Sequence, residues 1–372
     1  MITIKEVKTQ KELKEFVKFP FKLYKNSKYW VPPIISQEIK TFNKKENPVF
    51  KDAEARFFLA YKNDELVGRI AAIINWLEVK NQNQKKMRFG WFDFIDDLDV
   101  SKALFSKIED IGKENNLEYA EGPVGFSNLD KVGVVTEGYD AIAPMITWYN
   151  HPYYAKHYEA AHYKIEKSYS ESRFPFANVK PETFLKAQEL IKKRYNLTAL
   201  SFTKTSEVMP YVDKMFDLFN TSYASLSSFV AITDIQKDYF KKKFISFVNP
   251  EYIKFIIDKD DNLIGFAIVL PAFAKALQKA QGKLFPFGFL HILDAKKNSK
   301  DVIFYLIGID PEYQNKGVHA VIFNEYYNVF TKKGIQTCYR TPELEDNYAI
   351  HQIWKHFSPE VYRRRKTFRK TL

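Results

Sequence analysis

The chain has 372 residues and a formal charge of +12 at neutral pH, with 45% apolar and 27% charged residues. At about 150 residues per domain that length suits two domains. The balance excludes global disorder, and 13 glycines are too few for propellers or glycine-rich repeats. A single cysteine, Cys338, excludes a disulfide framework and a cysteine zinc site and fits a reducing compartment, so a cytoplasmic location is expected.

In chain order, Met1-Ile-Thr-Ile-Lys-Glu6 reads as a strand, without the apolar core of a signal peptide. Phe57–Tyr61 followed by Asp64-Glu-Leu-Val-Gly68 reads as strand, tight turn, strand. A helix spaced for one apolar face covers Ala103–Ile111, and a strand covers Glu118–Glu121. Pro181–Tyr195 is expected as a connecting helix. Then come a strand at Thr198–Phe202, a helix from Ser206 to about Thr221, and a helix capped by Thr233 or Asp234 that runs to Phe247, where Asn249-Pro250 stops it. Strands follow at Tyr252–Asp258 and Leu263–Leu270. A short helix over Ala272–Gln281 ends at Gly282, and the apolar stretch Lys283–Leu293 follows it. A strand at Ile303–Ile309, a helix opening near Gly317, a strand at Ile335–Arg340, a helix over Asp346–Phe357 and a strand at Val361–Phe368 complete the order. No stretch approaches the 18 or so apolar residues that a bilayer span requires.

Part of this order occurs twice. Asp64-Glu-Leu-Val-Gly68 matches Asp261-Asn-Leu-Ile-Gly265, each after an apolar strand. Pro123 and Asn128 correspond to Pro342 and Asn347 at one shared offset, and each pair follows a helix and a strand. The recurrence predicts a duplicated unit, and alternating helices and strands with hairpins predict a mixed α/β sheet. Domain one is expected at residues 1–170, a linker helix at 171–197 and domain two at 198–372.

The richest segment is Phe304-Tyr-Leu-Ile-Gly308-Ile-Asp-Pro-Glu-Tyr-Gln314-Asn-Lys316-Gly317-Val-His319. An apolar strand ends at Asp310-Pro311 and a helix opens at a glycine, where unpaired amides favour an anion. This segment resembles the acyl-CoA loop of the GNAT superfamily of N-acyltransferases, of the form Q/R-x-x-G-x-G/A, with Gln314 and Gly317 in place and His319 where the last small residue belongs. The surrounding order of elements is similar to that fold throughout domain two. Domain one looks like a specialised second copy, giving two tandem GNAT-like domains. The resemblance implies an acyl-CoA co-substrate. Its pyrophosphate would lie on Gln314, Asn315, Lys316, Gly317, Val318 and His319, and its pantetheine along Ile307, Gly308 and Ile309, with Asn347 nearby. It implies acyl transfer to an amine acceptor entering between the domains.

The family motif N-x-x-A-x-x-x-Y supplies a tyrosine acid, but the spacing from Asn347 lands here on Trp354, which has no useful proton to give. Tyr348, His351 and His356, on or beside the same helix, are the substitutes. Glu343 and Glu345, just past a strand end, are candidate bases, and a solvated capping loop is the plainer role for them. Domain one lacks the anion loop: Asp96-Asp-Leu-Asp99 occupies that mouth and repels phosphate. Ser127, Asn128, Asn150 and Tyr153, in loops rich in polar and aromatic side chains, are candidate acceptor-binding residues.

The insertion at 272–293 fits either a segment buried against domain one or a lysine-flanked wall for a longer acyl chain or lipid. From Lys355 to Leu372 there are seven Lys/Arg against one acid, Glu360. Such a stretch suits CoA phosphates or an anionic membrane better than nucleic acid, for which no recognised module is present. No histidine spacing points to a metal. Two alternatives stay open: a non-catalytic binding or scaffold protein on a degenerate fold, and an aminoacyl-tRNA-dependent transferase. The acceptor, the acyl length and the oligomeric state do not follow from the sequence.

Overall fold

The structure is a computed structural model that describes every residue except 128, 227–228 and 243–247. Its elements, in order, begin with β1 (Ile2–Glu6), α1 (Gln10–Leu23), α2 (Ile35–Thr41), β2 (Ala53–Lys62), β3 (Glu65–Asn75) and α3 (Trp76–Asn81). They continue with β4 (Lys86–Phe94), α4 (Leu98–Glu114), β5 (Tyr119–Gly122), β6 (Val134–Glu137), α5 (Tyr154–Ala160) and β7 (Lys164–Pro175). After these come α6 (Glu182–Tyr195), β8 (Thr198–Ser201), α7 (Thr205–Val208), α8 (Val212–Tyr223), α9 (Asp234–Phe240), β9 (Ile253–Ile257) and β10 (Leu263–Pro271). The chain then forms α10 (Ala274–Ala280), α11 (Gly288–Asn298), β11 (Asp301–Ile309), α12 (Val318–Lys333), β12 (Thr337–Arg340), β13 (Glu343–Leu344), α13 (Tyr348–Trp354) and β14 (Glu360–Thr371).

The chain forms two compact units: unit 1 is Met1–Ser170, Ala274–His291 and Tyr362–Leu372, and unit 2 is Glu171–Phe273 and Ile292–Val361. The boundaries expected from the sequence differ from this division at three places. The expected linker 171–197 belongs to unit 2, with β7 running on to Pro175 before α6. The segment 274–291 and nearly all of β14 belong to unit 1.

In unit 1, β1 to β4 pair antiparallel in order, β5 joins β4 in parallel, and β14 pairs antiparallel with both β5 and β6. Every residue of β3 after Leu66 is buried because both faces of the sheet are covered. Ile70, Ala72 and Ile74 join one apolar cluster under α4, and Ala71 and Ile73 join another with Phe16 and Val17 of α1.

Unit 2 repeats the plan. β8, β9, β10 and β11 pair antiparallel, β12 joins β11 in parallel, and β7 pairs antiparallel with β12. The helix expected from Ser206 is interrupted. Pro210 lies in a 3-10 turn, Met209–Tyr211, between α7 and α8, because it cannot donate into a helical ladder. α9 begins at Asp234 behind a capping box on Thr233, and the end of the helix expected to reach Phe247 falls outside the described residues.

The matched glycines face the equivalent helix in both copies. A Cβ on Gly68 would meet Leu104 Cδ1 at 2.9 Å and Val100 Cγ1 at 3.1 Å, both on α4. A Cβ on Gly265 would meet Val318 Cγ1 at 3.4 Å and Ile322 Cδ1 at 3.6 Å, on α12. Both glycines face the helix after the fourth strand of their unit, and at Gly68 a side chain would crowd it, while at Gly265 it would make ordinary contact. Each copy also carries a register shift in that hairpin partner, between Arg69 and Ala71 in β3 and between Ile268 and Val269 in β10.

Trp354 is in the unit 2 core, 1% exposed, among Phe304, Phe323 and Phe357. Trp354→Ala is expected to cost about 3–5 kcal/mol through the cavity it leaves, read as a lower denaturation midpoint at unchanged slope. Among the described residues no helix is long and apolar enough to cross a membrane.

Candidate active site

The site in unit 2 is built where two parallel strands part. β11 pairs with β12 from Asp301↔Thr337 to Phe304↔Arg340 and no further, although β11 runs on to Ile309 against β10. Between Leu306 and Phe304 the register against β10 skips Tyr305, a bulge that turns the strand. Asp310 N–H donates to Ile264 O at 2.8 Å. Backbone groups alternate between the two edges of a strand, so Ile307 and Ile309 present theirs to the open edge. Two side chains already reach that edge. The Tyr223 hydroxyl donates to Ile307 O at 3.0 Å, and Gln314 Nε2 donates to Ile309 O at 3.2 Å.

Beyond β11, Asp310 caps the 3-10 turn Pro311–Tyr313, and Asn315 and Gly317 take left-handed conformations at φ 61° and 80°. Gly317 is the N-cap of α12 and supplies no side-chain cap. The first amides of that helix, on Val318 and His319, therefore have no acceptor within it. A Cβ at Gly317 would lie 2.6 Å from Ile191 Cδ1 on α6. The Lys316 ammonium sits at the same mouth, 4.9 Å from the Tyr313 ring and 5.5 Å from that of Tyr195. Val318 is buried beneath Gly265, while burial, helped by His356, holds the His319 imidazole below its ordinary pKa. The bond from Gln314 to Ile309 O ties the loop back to the strand end.

At the parting of the strands, Glu343 of β13 is ion-paired and doubly hydrogen-bonded with Arg340 of β12. Arg340 also donates to Ser172 Oγ at 2.9 Å, and its guanidinium lies 4.9 Å from the Trp354 ring. Burial pushes the Glu343 carboxyl above the ordinary carboxylate value and Arg340 below its own, with their mutual attraction opposing both shifts. His351 of α13 places Nδ1 3.8 Å from the Glu343 carboxylate and Nε2 3.0 Å from Leu344 O. That carbonyl only accepts, so Nε2 is the donor to it. Burial pushes Tyr223 up to about 12, with the charge of Glu343 adding to the shift.

Tyr223, Ile307, Arg340 and Glu343 thus share one neighbourhood. Tyr223 was not expected from the sequence. Its only sequence signal is that Asn220-Thr-Ser-Tyr223 ends an amphipathic helix on polar residues. Of the other expected residues, Tyr348 is 75% exposed at the start of α13, Glu345 is half-buried beside β13, and Asn347 caps α13 through Oδ1, which accepts from Ile350 N–H.

The acceptor candidates of unit 1 are engaged in its own backbone. Asn150 braces β6, accepting from Val135 N–H at 2.7 Å and donating to Val135 O at 3.1 Å. Ser127 N–H and Oγ donate to Asp130, and the Tyr153 hydroxyl donates to Phe94 O. Asn128 lies outside the described residues. The parting of β4 from β5 after Arg88↔Glu121 is covered here, because Val124 N–H donates to Phe89 O at 2.8 Å and Arg88 donates to Gly125 O at 3.0 Å. The following helix is capped by the Asp97 carboxylate.

No protein-family model matches the chain. Among curated proteins it is similar to Protein YghO of Escherichia coli K12, 24% identical over 97% of this chain and 93% of that one. It is likewise similar to the bacterial ceramide synthase of Caulobacter vibrioides, 26% identical over 84% of this chain and 82% of that one. Among solved structures it resembles a tandem GNAT protein from the clavulanic acid biosynthesis pathway, at a TM-score of 0.59 and 9% identity, covering 100% of this chain and 98% of that one. The chain has the fold of the tandem GCN5-related N-acetyltransferases, in which one α/β unit occurs twice.

Proposed function

We propose that unit 2 transfers an acyl group from acyl-CoA to the amine of a long-chain amino alcohol, the N-acylation that makes a ceramide. The observation that carries the reading is β11, which leaves β12 after Phe304 and leads through the turn at Pro311–Tyr313 to the left-handed Gly317 at the head of α12. An open strand edge beside free helix amides fits a thioester with an anionic diphosphate. The lipid acceptor is supported by the likeness to a bacterial ceramide synthase and by the basic surface of the chain.

In this reading the amides of Val318 and His319 hold the diphosphate and Lys316 adds a cation at its side. The Ile307–Ile309 edge pairs with the pantetheine amides, sharing Ile307 O with Tyr223. Glu343 takes the proton of the attacking amine as the C–N bond forms and the C–S bond breaks, and Tyr223 gives its proton to the departing thiolate. Burial keeps the Tyr223 hydroxyl protonated in the resting protein.

Tyr223→Phe is expected to lower kcat about 10²-fold, with little change in acyl-CoA affinity, as single-turnover kinetics would show. The overall reading is tested by calorimetric titration with CoA and a long-chain acyl-CoA, then by turnover against sphingoid-type amines. Absence of binding, or binding without amide formation on any amine, removes it.

A further inference from the structure

We infer that the segment from Lys283 to Lys297 is a docking face for an anionic membrane, with its aromatic and aliphatic side chains seated in the lipid interface. This inference goes beyond the acyl-transfer reading and stands without it.

Phe285, Phe287, Leu290 and Leu293 are 77%, 69%, 50% and 56% exposed. Four large apolar residues presented to water within nine positions are no scattered surface hydrophobes. They follow the helix. Leu290 and Leu293 are three apart on α11, Phe287 is one step before it on the same face, and Lys297 continues the stripe one turn on. The buried side of α11 is marked by Ile292, 7% exposed. Eleven residues at about 1.5 Å each fall well short of the roughly 30 Å hydrocarbon core, so α11 lies in the interface and does not cross it.

The start of the segment, up to His291, is held within unit 1. Gln278 Nε2 donates to Lys28 O at 3.0 Å and Trp30 O at 2.9 Å, and Ile35 N–H donates to Gly282 O at 2.9 Å. Gly282, at φ 74°, turns the chain where any Cβ would strike Phe21. Inside the segment, Phe289 N–H donates to Leu284 O at 2.7 Å. The apolar side chains are therefore displayed from a fixed platform.

Charge complementarity selects the partner. Lys275, Lys279, Lys283, Lys296, Lys297 and Lys300 flank the apolar stripe, and Asp294 is the one acid from residue 272 to residue 300. An apolar stripe framed by lysines matches an anionic lipid surface, where the ammonium groups meet phosphates while the rings and branched chains enter the acyl boundary.

The full chain is tested by co-flotation with vesicles of phosphatidylcholine alone or mixed with phosphatidylglycerol, at low and high salt. Binding is expected to the anionic vesicles only and to weaken with salt. Phe287→Ser with Leu290→Ser is expected to lower partitioning by at least about tenfold at any salt. Lys283→Glu with Lys297→Glu is expected to lower it at low salt and leave less salt dependence. All four sites are exposed, so the variants should melt with the parent, which thermal scans verify. A parent that stays unbound with anionic vesicles overturns the inference. So does a parent that forms dimers abolished by Phe287→Ser with Leu290→Ser and floats no better than that variant, because the face then joins two copies of this chain.

Discussion

Glu343→Gln is expected to reduce turnover about 10³-fold while leaving acyl-CoA affinity close to that of the parent. Glutamine keeps the shape and an acceptor for Arg340 but cannot take a proton from the amine. The pH profile adds a signature that a purely structural role would not produce. Burial holds the parent's Glu343 carboxyl above its ordinary 4.5, so the acid limb of kcat/KM lies above that value. Activity falls as pH drops through the raised value and the base becomes protonated. In the glutamine variant that limb disappears.

Stability follows the opposite sign. The folded chain binds the Glu343 proton more tightly than the unfolded chain does, so this group favours folding below the ordinary value and loses that contribution as pH rises through the folded one. Arg340→Ala is a different experiment, since it leaves Glu343 buried without its partner and is expected to cost about 3–5 kcal/mol of stability. An unchanged kcat in Glu343→Gln would remove the carboxylate from the chemistry.

Gly317→Glu is expected to weaken CoA binding by about 10²-fold or more, through three effects acting together. At φ 80° an L side chain carries about 1–2 kcal/mol of strain. Its Cβ would press on Ile191, 2.6 Å away. Its carboxylate would stand where a diphosphate is to meet the amides of α12. Gly317→Asn separates these contributions, because asparagine tolerates the left-handed region and carries no charge. An intermediate loss is expected for Asn. Equal affinity for CoA in all three proteins, measured by calorimetry, would show that the phosphates do not lie here.

What was legible in the sequence was local. A strand, a turn and a glycine before an apolar helix are written in consecutive residues, so the loop from Gln314 to Gly317 could be read directly, as could both hairpins with Gly68 and Gly265. Even there Gln314 keeps its amide for Ile309 O, a choice no spacing reveals. Tyr223 was not legible, because it meets Ile307 only once the end of α8 lies over the opened strand. The Arg340–Glu343 pair was half-visible. The carboxylate drew attention as a base, but its partner two residues upstream of Pro342 looked like the end of a strand. The stretch Lys283–Leu293 shows a further limit. Its apolar content is the same whether it faces a core or water, and its exposure emerges only in the folded chain.

The position of β14 also sets the order in which the protein can be made. Phe368 to Thr371 lie along Tyr119–Gly122, and Arg365 donates to the carbonyls of Val132, Gly133 and Trp148. Unit 1 therefore lacks an internal strand and a buried cation until residues near 370 have left the ribosome, although β1 is synthesised well before them. The segments that could close first are those of unit 2. A chain cut before Tyr362 would strand the earlier half without the strand that completes its sheet, leaving edges open to pairing with other chains. Loss of those eleven residues should thus register as aggregation of the nascent N-terminal region, far along the sequence from the cut.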